Sequence, residues 1–256
     1  MKLKTYIRNL KQYVKMGGVV YMNITNIDPK KRFDGKKIFI VNGCNTFGID
    51  LALRFEKEGA KVLISGCEEN SIKGTKNRLN SENIKLVKID TSDYDNISNH
   101  INEVITKYDD FNIFINNTKE DDIEFMDITE DYWNKIISIY NKEIFFICQE
   151  EGSYLYKLEK GGKIINIPRV NICEPKFTPQ FAAIYGMDCM TKGLAKQLAD
   201  KDITVNCVEP KIITQSKAKC NITENIINVT MFLASDCANN ITGQTISVNG
   251  VFCKNG

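Results

Sequence analysis

From position 36 onward the chain alternates short apolar runs with longer stretches in which apolar residues recur every three or four positions. The short runs fall at 37–41, 61–65, 85–89, 112–116, 163–167, 204–208 and 245–248. Most are almost continuously apolar, rich in Ile, Val and Phe, which is the pattern of strands covered on both faces. Helix-period segments fill the intervals at 47–58, 71–79, 94–107, 132–158, 182–199 and 224–233. Such regular alternation predicts an α/β fold in which a doubly wound parallel sheet of seven strands is flanked by helices on both faces.

The segment ahead of this alternation has a different pattern. Leu3, Tyr6, Ile7, Leu10, Tyr13 and Val14 share one helical face, Lys4, Arg8, Lys11 and Lys15 lie mostly on the other, and no acid appears before Asp28. Gly17 and Gly18 end this short amphipathic helix, and 19–27 reads as an extended connector. One reading is a helix lying on a membrane surface; the other, favoured because such stripes more often meet protein, is an arm packed on its own body or on a partner subunit. The expected division is residues 1–32 as helix and arm, and 33–256 as one domain.

Composition narrows the class. A chain of 256 residues, 43% apolar, is long enough for one well-buried domain and short for two. Its 34 basic and 32 acidic residues are interleaved, so no global field recruits nucleic acid or an anionic membrane. The nine cysteines form no CxxC and none sits at ligand spacing from His100, the one histidine, which argues against a zinc site or a disulfide framework and for a reducing compartment. With no apolar run of spanning length and no signal-peptide core, the expected location is the cytoplasm.

The candidate chemistry begins at the first turn. A dinucleotide fold needs glycines between its first strand and first helix, so that a pyrophosphate can approach backbone N–H groups. Here the turn runs Val41, Asn42, Gly43, Cys44, Asn45, Thr46, Phe47, Gly48. The segment GKKIFIVNGCNTFGIDLALRFEKEGAKVLISG resembles the first βαβ unit of the short-chain dehydrogenases/reductases, whose loop is TGxxxGxG. Aligned without gaps, Asn42 and Thr46 stand at its first two glycines and Gly48 at the third; a shift of one residue would make Gly43 the first. Asp90 and Thr91 look like the family's adenine-contacting turn, and Asn116 and Asn117 match half of its NNAG motif, which also braces the sheet. The second strand ends on Gly66 and Cys67 where the family offers an acid for NAD or a base for NADP, and Glu68 and Glu69 would repel a 2′-phosphate.

The resemblance extends over about residues 33–251 and is to the branch similar to 3-oxoacyl-ACP reductases, which implies a Rossmann-like fold and NAD(P)-dependent oxidoreduction of carbonyls and alcohols. Its catalytic tetrad is Asn, Ser, Tyr and Lys, the last two four residues apart on one helix face so that the ammonium stabilises the phenolate. The stretch QFAAIYGMDCMTKGLAKQLADKDITVN matches that helix and the next strand, yet places Gln180 at Tyr and Ile184 at Lys. GGKIINIPRV delivers Arg169 in place of Ser, and WNKIISIY delivers Tyr140 in place of Asn. Glutamine supplies no proton at neutral pH, and isoleucine no cation. Thr214 to Thr223 is a short loop where relatives place a substrate flap.

Three functions compete on these residues. The first is a non-catalytic subunit or binding protein, a homo-oligomer or a hetero-oligomer with an active relative, joined through the helices at 132–158 and 182–199. The second is an active reductase using Tyr185 and Lys192, seven residues apart on a common helix face. The third is a sensor that binds a nucleotide without reacting, with Arg169 as an anion contact.

Overall fold

The computed structural model describes residues 31–93, 96–118, 125–168, 178–211 and 222–249. Seven strands alternate with helices in the order β1 (Lys37–Val41), α1 (Thr46–Lys57), β2 (Lys61–Gly66), α2 (Glu69–Arg78), β3 (Ile84–Lys88), α3 (Ile97–Tyr108), β4 (Ile113–Asn117) and α4 (Glu130–Ile137). A π-helical segment (Ser138–Glu143) joins α4 to α5 (Ile144–Leu158). Then follow β5 (Gly162–Ile167), α6 (Thr178–Leu198), β6 (Ile203–Lys211), α7 (Ile222–Ala234) and β7 (Thr245–Asn249). All strand pairs are parallel, and the sheet order is β3-β2-β1-β4-β5-β6-β7. The expected doubly wound Rossmann-like sheet of seven strands is the fold that forms.

The continuous apolar strands serve two cores at once, because successive side chains of a strand face opposite sides. On β1, Phe39 and Val41 join Phe114, Ile164, Ile105 and Ile147 on one face. Ile38 and Ile40 join Leu51, Phe55, Ile115 and Met231 on the other. The central strand therefore has no exposed side. Strand β1 pairs with both β2 and β4, as in Ile38 with Val62 and Ile113, and the chain reverses its direction of progress across the sheet between β1 and β4. Open α/β sheets leave their ligand crevice at such a switch point, beyond the carboxyl ends of the strands.

Helix starts are fixed locally. Asn45 caps α1 by accepting from Gly48 N at 3.0 Å, and Thr129 caps α4 by accepting from Tyr132 N at 3.2 Å, with Glu130 and Asp131 in the first turn. The expected single helix over 132–158 is instead two α-helices around one π turn. At this turn Asn141 Nδ2 donates to Ala183 O at 3.0 Å, and a Cβ on Gly186 would lie 2.6 Å from the same nitrogen. The π turn is thus seated on α6 where that helix is bare enough to receive it. The N-terminal helix and all but the last two residues of the arm, Arg169 and most of the short loop at 214–223 lie outside the described residues.

Candidate functional site

The loop after β1 is built around its residue at position 42. Asn42 has φ 53°, the left-handed region that glycine and asparagine occupy most readily, so the backbone favours the ungapped register in which it stands at a glycine position. Gly48 could not carry a side chain, because a Cβ there would overlap the backbone of Gly43, whose Cα lies 2.6 Å from it. Close approach of helix to loop is what the third glycine of such turns provides. Thr46 is exposed and accepts from Arg78 Nη1 at 3.4 Å. Gly48 N, one of the first-turn donors that a phosphate would need, is already taken by Asn45. Where β2 ends, the Cys44 thiol packs against Gly66, and burial raises its pKa.

Behind this loop lie buried side chains that bond to one another. Asn42 Nδ2 donates to Glu143 Oε1 at 2.9 Å, Thr91 Oγ1 donates to Asn42 Oδ1 at 3.2 Å, and Asn117 Nδ2 donates to Asn42 O at 3.0 Å. Asn42 N in turn donates to Ser65 Oγ at 3.1 Å. All five of these residues are buried. Asn42 thereby ties β1, β2, β3, β4 and the π turn together. Asp90, next to Thr91, stays exposed, with its carboxylate accepting from Ser92 N and Ser92 Oγ.

Asn116 belongs to a second buried cluster deeper in the sheet. Its Nδ2 donates to Glu151 Oε2 at 2.9 Å and to Asn166 Oδ1 at 3.0 Å, and Cys148 Sγ lies 3.4 Å from the same Asn166 oxygen. Complete burial holds the Glu151 carboxyl well above the usual carboxylate range and pushes the Cys148 thiol up. Among the described residues, no group of three or more His, Cys, Asp or Glu is arranged to hold a metal ion.

On the far side of the crevice, Gln180 is buried and its Nε2 donates to Tyr132 OH at 2.8 Å. One turn on, Ile184 is buried in the apolar core beside Met187, and Tyr140 is fully buried in the same core. Tyr185 and Lys192 point elsewhere. Tyr185 is 68% exposed, and Lys192 is an exposed residue whose Nζ meets Asp188 Oδ2 at 2.6 Å, which raises its pKa.

Residues 36–226 match the sequence profile of the short chain dehydrogenases. The chain belongs to that family. It is 25% identical over 240 residues to the 3-oxoacyl-[acyl-carrier-protein] reductase FabG of Chlamydia pneumoniae, spanning 84% of this chain and 96% of that protein. The FabG of Staphylococcus aureus is 27% identical over 246 residues, with 84% and 97% covered. Among solved structures, a hydroxysteroid dehydrogenase from Escherichia coli superposes with a TM-score of 0.75 at 20% identity, over 88% of this chain and all of that one. A short chain dehydrogenase from Mycobacterium smegmatis gives 0.74 at 22%, over 87% and 95%. No helix among the described residues is long and apolar enough to cross a membrane.

Within this family member, the structure brings together some of the residues singled out in the sequence and separates others. Asn42, Thr91 and Asn117 converge on one hydrogen-bonded cluster, with Gly43 and Gly48 shaping the loop above it. Asn116 faces the neighbouring cluster, while Asp90 and Thr46 stay at the surface. Glu143 and Glu151 were not singled out, although both fall in the apolar stripe of the segment 132–158 beside Ile136, Ile144, Ile147 and Leu155. A carboxylate in the buried stripe of a helix is the signal that marks them.

Proposed function

We propose that this chain is a short-chain dehydrogenase/reductase homologue that has given up hydride transfer and acts in the cytoplasm as a subunit or binding protein. The observation that carries this reading is the pair Gln180 and Ile184. The family's reduction needs a phenol to give a proton and an ammonium beside it, and these positions hold an amide engaged with Tyr132 and a buried aliphatic side chain. Tyr140 supports the same reading, since it takes the place of the family's Asn and is buried in the apolar core. The bonds of Asn42, Thr91 and Asn117 to protein partners also support it, since they leave NAD or NADP fewer polar contacts at these positions.

Assembly through α5 and α6 fits this role, either with a second copy or with an active relative. Between these two helices runs a groove lined by Phe145, Gly152, Tyr156, Leu194 and Leu198, and Phe145 and Tyr156 are exposed aromatics. The test is calorimetry with NADH and NADPH, followed by turnover with a panel of carbonyl substrates. The reading expects no turnover with either cofactor. Hydride transfer that survives Gln180→Ala and Ile184→Ala would overturn it. The competing reductase built on Tyr185 and Lys192 has both side chains in solvent and Lys192 held by Asp188, which disfavours it.

A further inference from the structure

At the other end of the sheet from the crevice, the starts of β4 and β5 border a cavity of about 390 Å³ lined by Lys36, Asn112, Lys163, Asp202, Asp236 and Asn239, among others. Its most buried charged group is Lys163, 7% exposed. Lys163 Nζ donates to Asn239 Oδ1 at 2.8 Å, and among the described residues no carboxylate lies within ion-pair distance of it. The neighbouring acid, Asp236, is engaged by Lys36 at 3.6 Å. An ammonium has three donors, so two of those on Lys163 remain unspent.

The amides around it add to the surplus of donors. Asn112 Oδ1 accepts from Lys37 N at 2.9 Å and Asn239 Oδ1 accepts from Lys163, so the acceptor side of each amide is used and the NH₂ side is left over. A buried cation whose neighbouring acid, Asp236, is shared with Lys36, next to two amides with N–H groups to spare, suits oxygen acceptors that carry negative charge. The volume suits a small metabolite, being at the lower end of the usual range for ligand clefts.

We propose that this cavity binds the phosphate or carboxylate group of a small molecule, with Lys163 as its charge partner and the amides of Asn112 and Asn239 as further donors. The site is separate from the family's crevice and does not depend on the fate of catalysis there. Burial pulls the Lys163 pKa down to about 8, so the side chain is mostly charged at neutral pH and loses its proton under moderately alkaline conditions. An anion beside it would restore the charged form, which links binding to pH.

The test is thermal unfolding of the full chain in sodium phosphate, in sodium acetate and in sodium chloride of matched ionic strength. At about pH 7, phosphate or acetate should raise the Tm of the wild type by roughly 2–4 °C beyond chloride, and at about pH 9.5 the increment should shrink. A response to phosphate alone assigns a phosphate ligand, and a response to acetate as well assigns a general oxyanion site. Lys163→Met, which removes a buried charge and so keeps the fold, should abolish the increment, and Asn239→Ala should reduce it. The proposal falls if chloride gives the same increment, or if Lys163→Met responds as the wild type does.

Discussion

At the carboxyl ends of β1, β3 and β4, Asn42, Thr91, Asn117 and Glu143 direct hydrogen bonds to one another, whereas near the amino end of β5 Lys163 meets a single amide oxygen across an open cavity. The first region is where the family does its chemistry, and here most polar groups bond within the protein, with Asn117 Oδ1 left unpaired among the described residues. The second has no assigned role in the family's reaction, and its donors are left unspent. A buried ammonium with a single amide acceptor gains more from an added anion than a side chain already bonded to several neighbours, so Lys163 is where an anionic ligand would gain most. The contrast teaches that a family's crevice and a chain's best remaining site need not coincide.

The largest effect that can break this comparison is expected at the loop. Gly48→Ala would force the added carbon into Gly43 and should cost about 3 kcal/mol in urea unfolding. A loss well below that would mean that the crevice end is pliable. Next in size, Asn42→Ala removes the partner of Glu143 and Thr91 and puts alanine at φ 53°, for an expected loss of about 2 kcal/mol. Asn42→Gly relieves the backbone and should lose roughly half as much, which separates the side chain's role from that of the loop.

Titration sharpens the comparison because buried charge at the two ends answers pH in opposite directions. The folded-state pKa of Glu151 is raised, so its contribution to stability is complete below about 4.5 and is lost as pH rises toward the folded value. Glu151→Gln should therefore gain on the wild type with rising pH, by about 1 kcal/mol at pH 8. The pKa of Lys163 is lowered, so its contribution is complete above about 10.5 and is lost as pH falls through about 8. Lys163→Met should hold its advantage at neutral pH and lose it in alkali, and parallel pH curves for the two variants would sink the assignment. The smallest effects belong to Tyr185→Phe and Lys192→Met, which should leave Tm unchanged because both side chains lie in solvent.

Much of the fold was legible because continuous apolar runs such as Ile38 to Val41 can only be strands covered on both faces, and all seven were placed within a few residues at each end. The break in the helix at Ser138 to Glu143 was not legible, because the apolar period runs through it and the bulge is stabilised by a distant contact to Ala183. The site was legible in its positions and less so in its bonds. Asn42 reads as a replaced glycine, and nothing local announces that its amide reaches Glu143, about a hundred residues along the chain. Glu143 and Glu151 carried their own signal, as acids inside an apolar stripe, but a stripe tolerates single exceptions at its edge and does not say which are buried.

The π turn also bears on how this chain can change its length over generations. A π turn holds one residue more than the α turn it replaces, so deleting a residue between positions 138 and 143 would let the segment wind as a plain α-helix with little change in the direction its downstream residues face. Ile147, Cys148 and Glu151 would stay buried, whereas a deletion in the plain α turns of α5 would rotate the residues after it by about 100°. Single deletions should therefore be absorbed in the connections between elements and in this six-residue stretch, and excluded from the α turns that follow it.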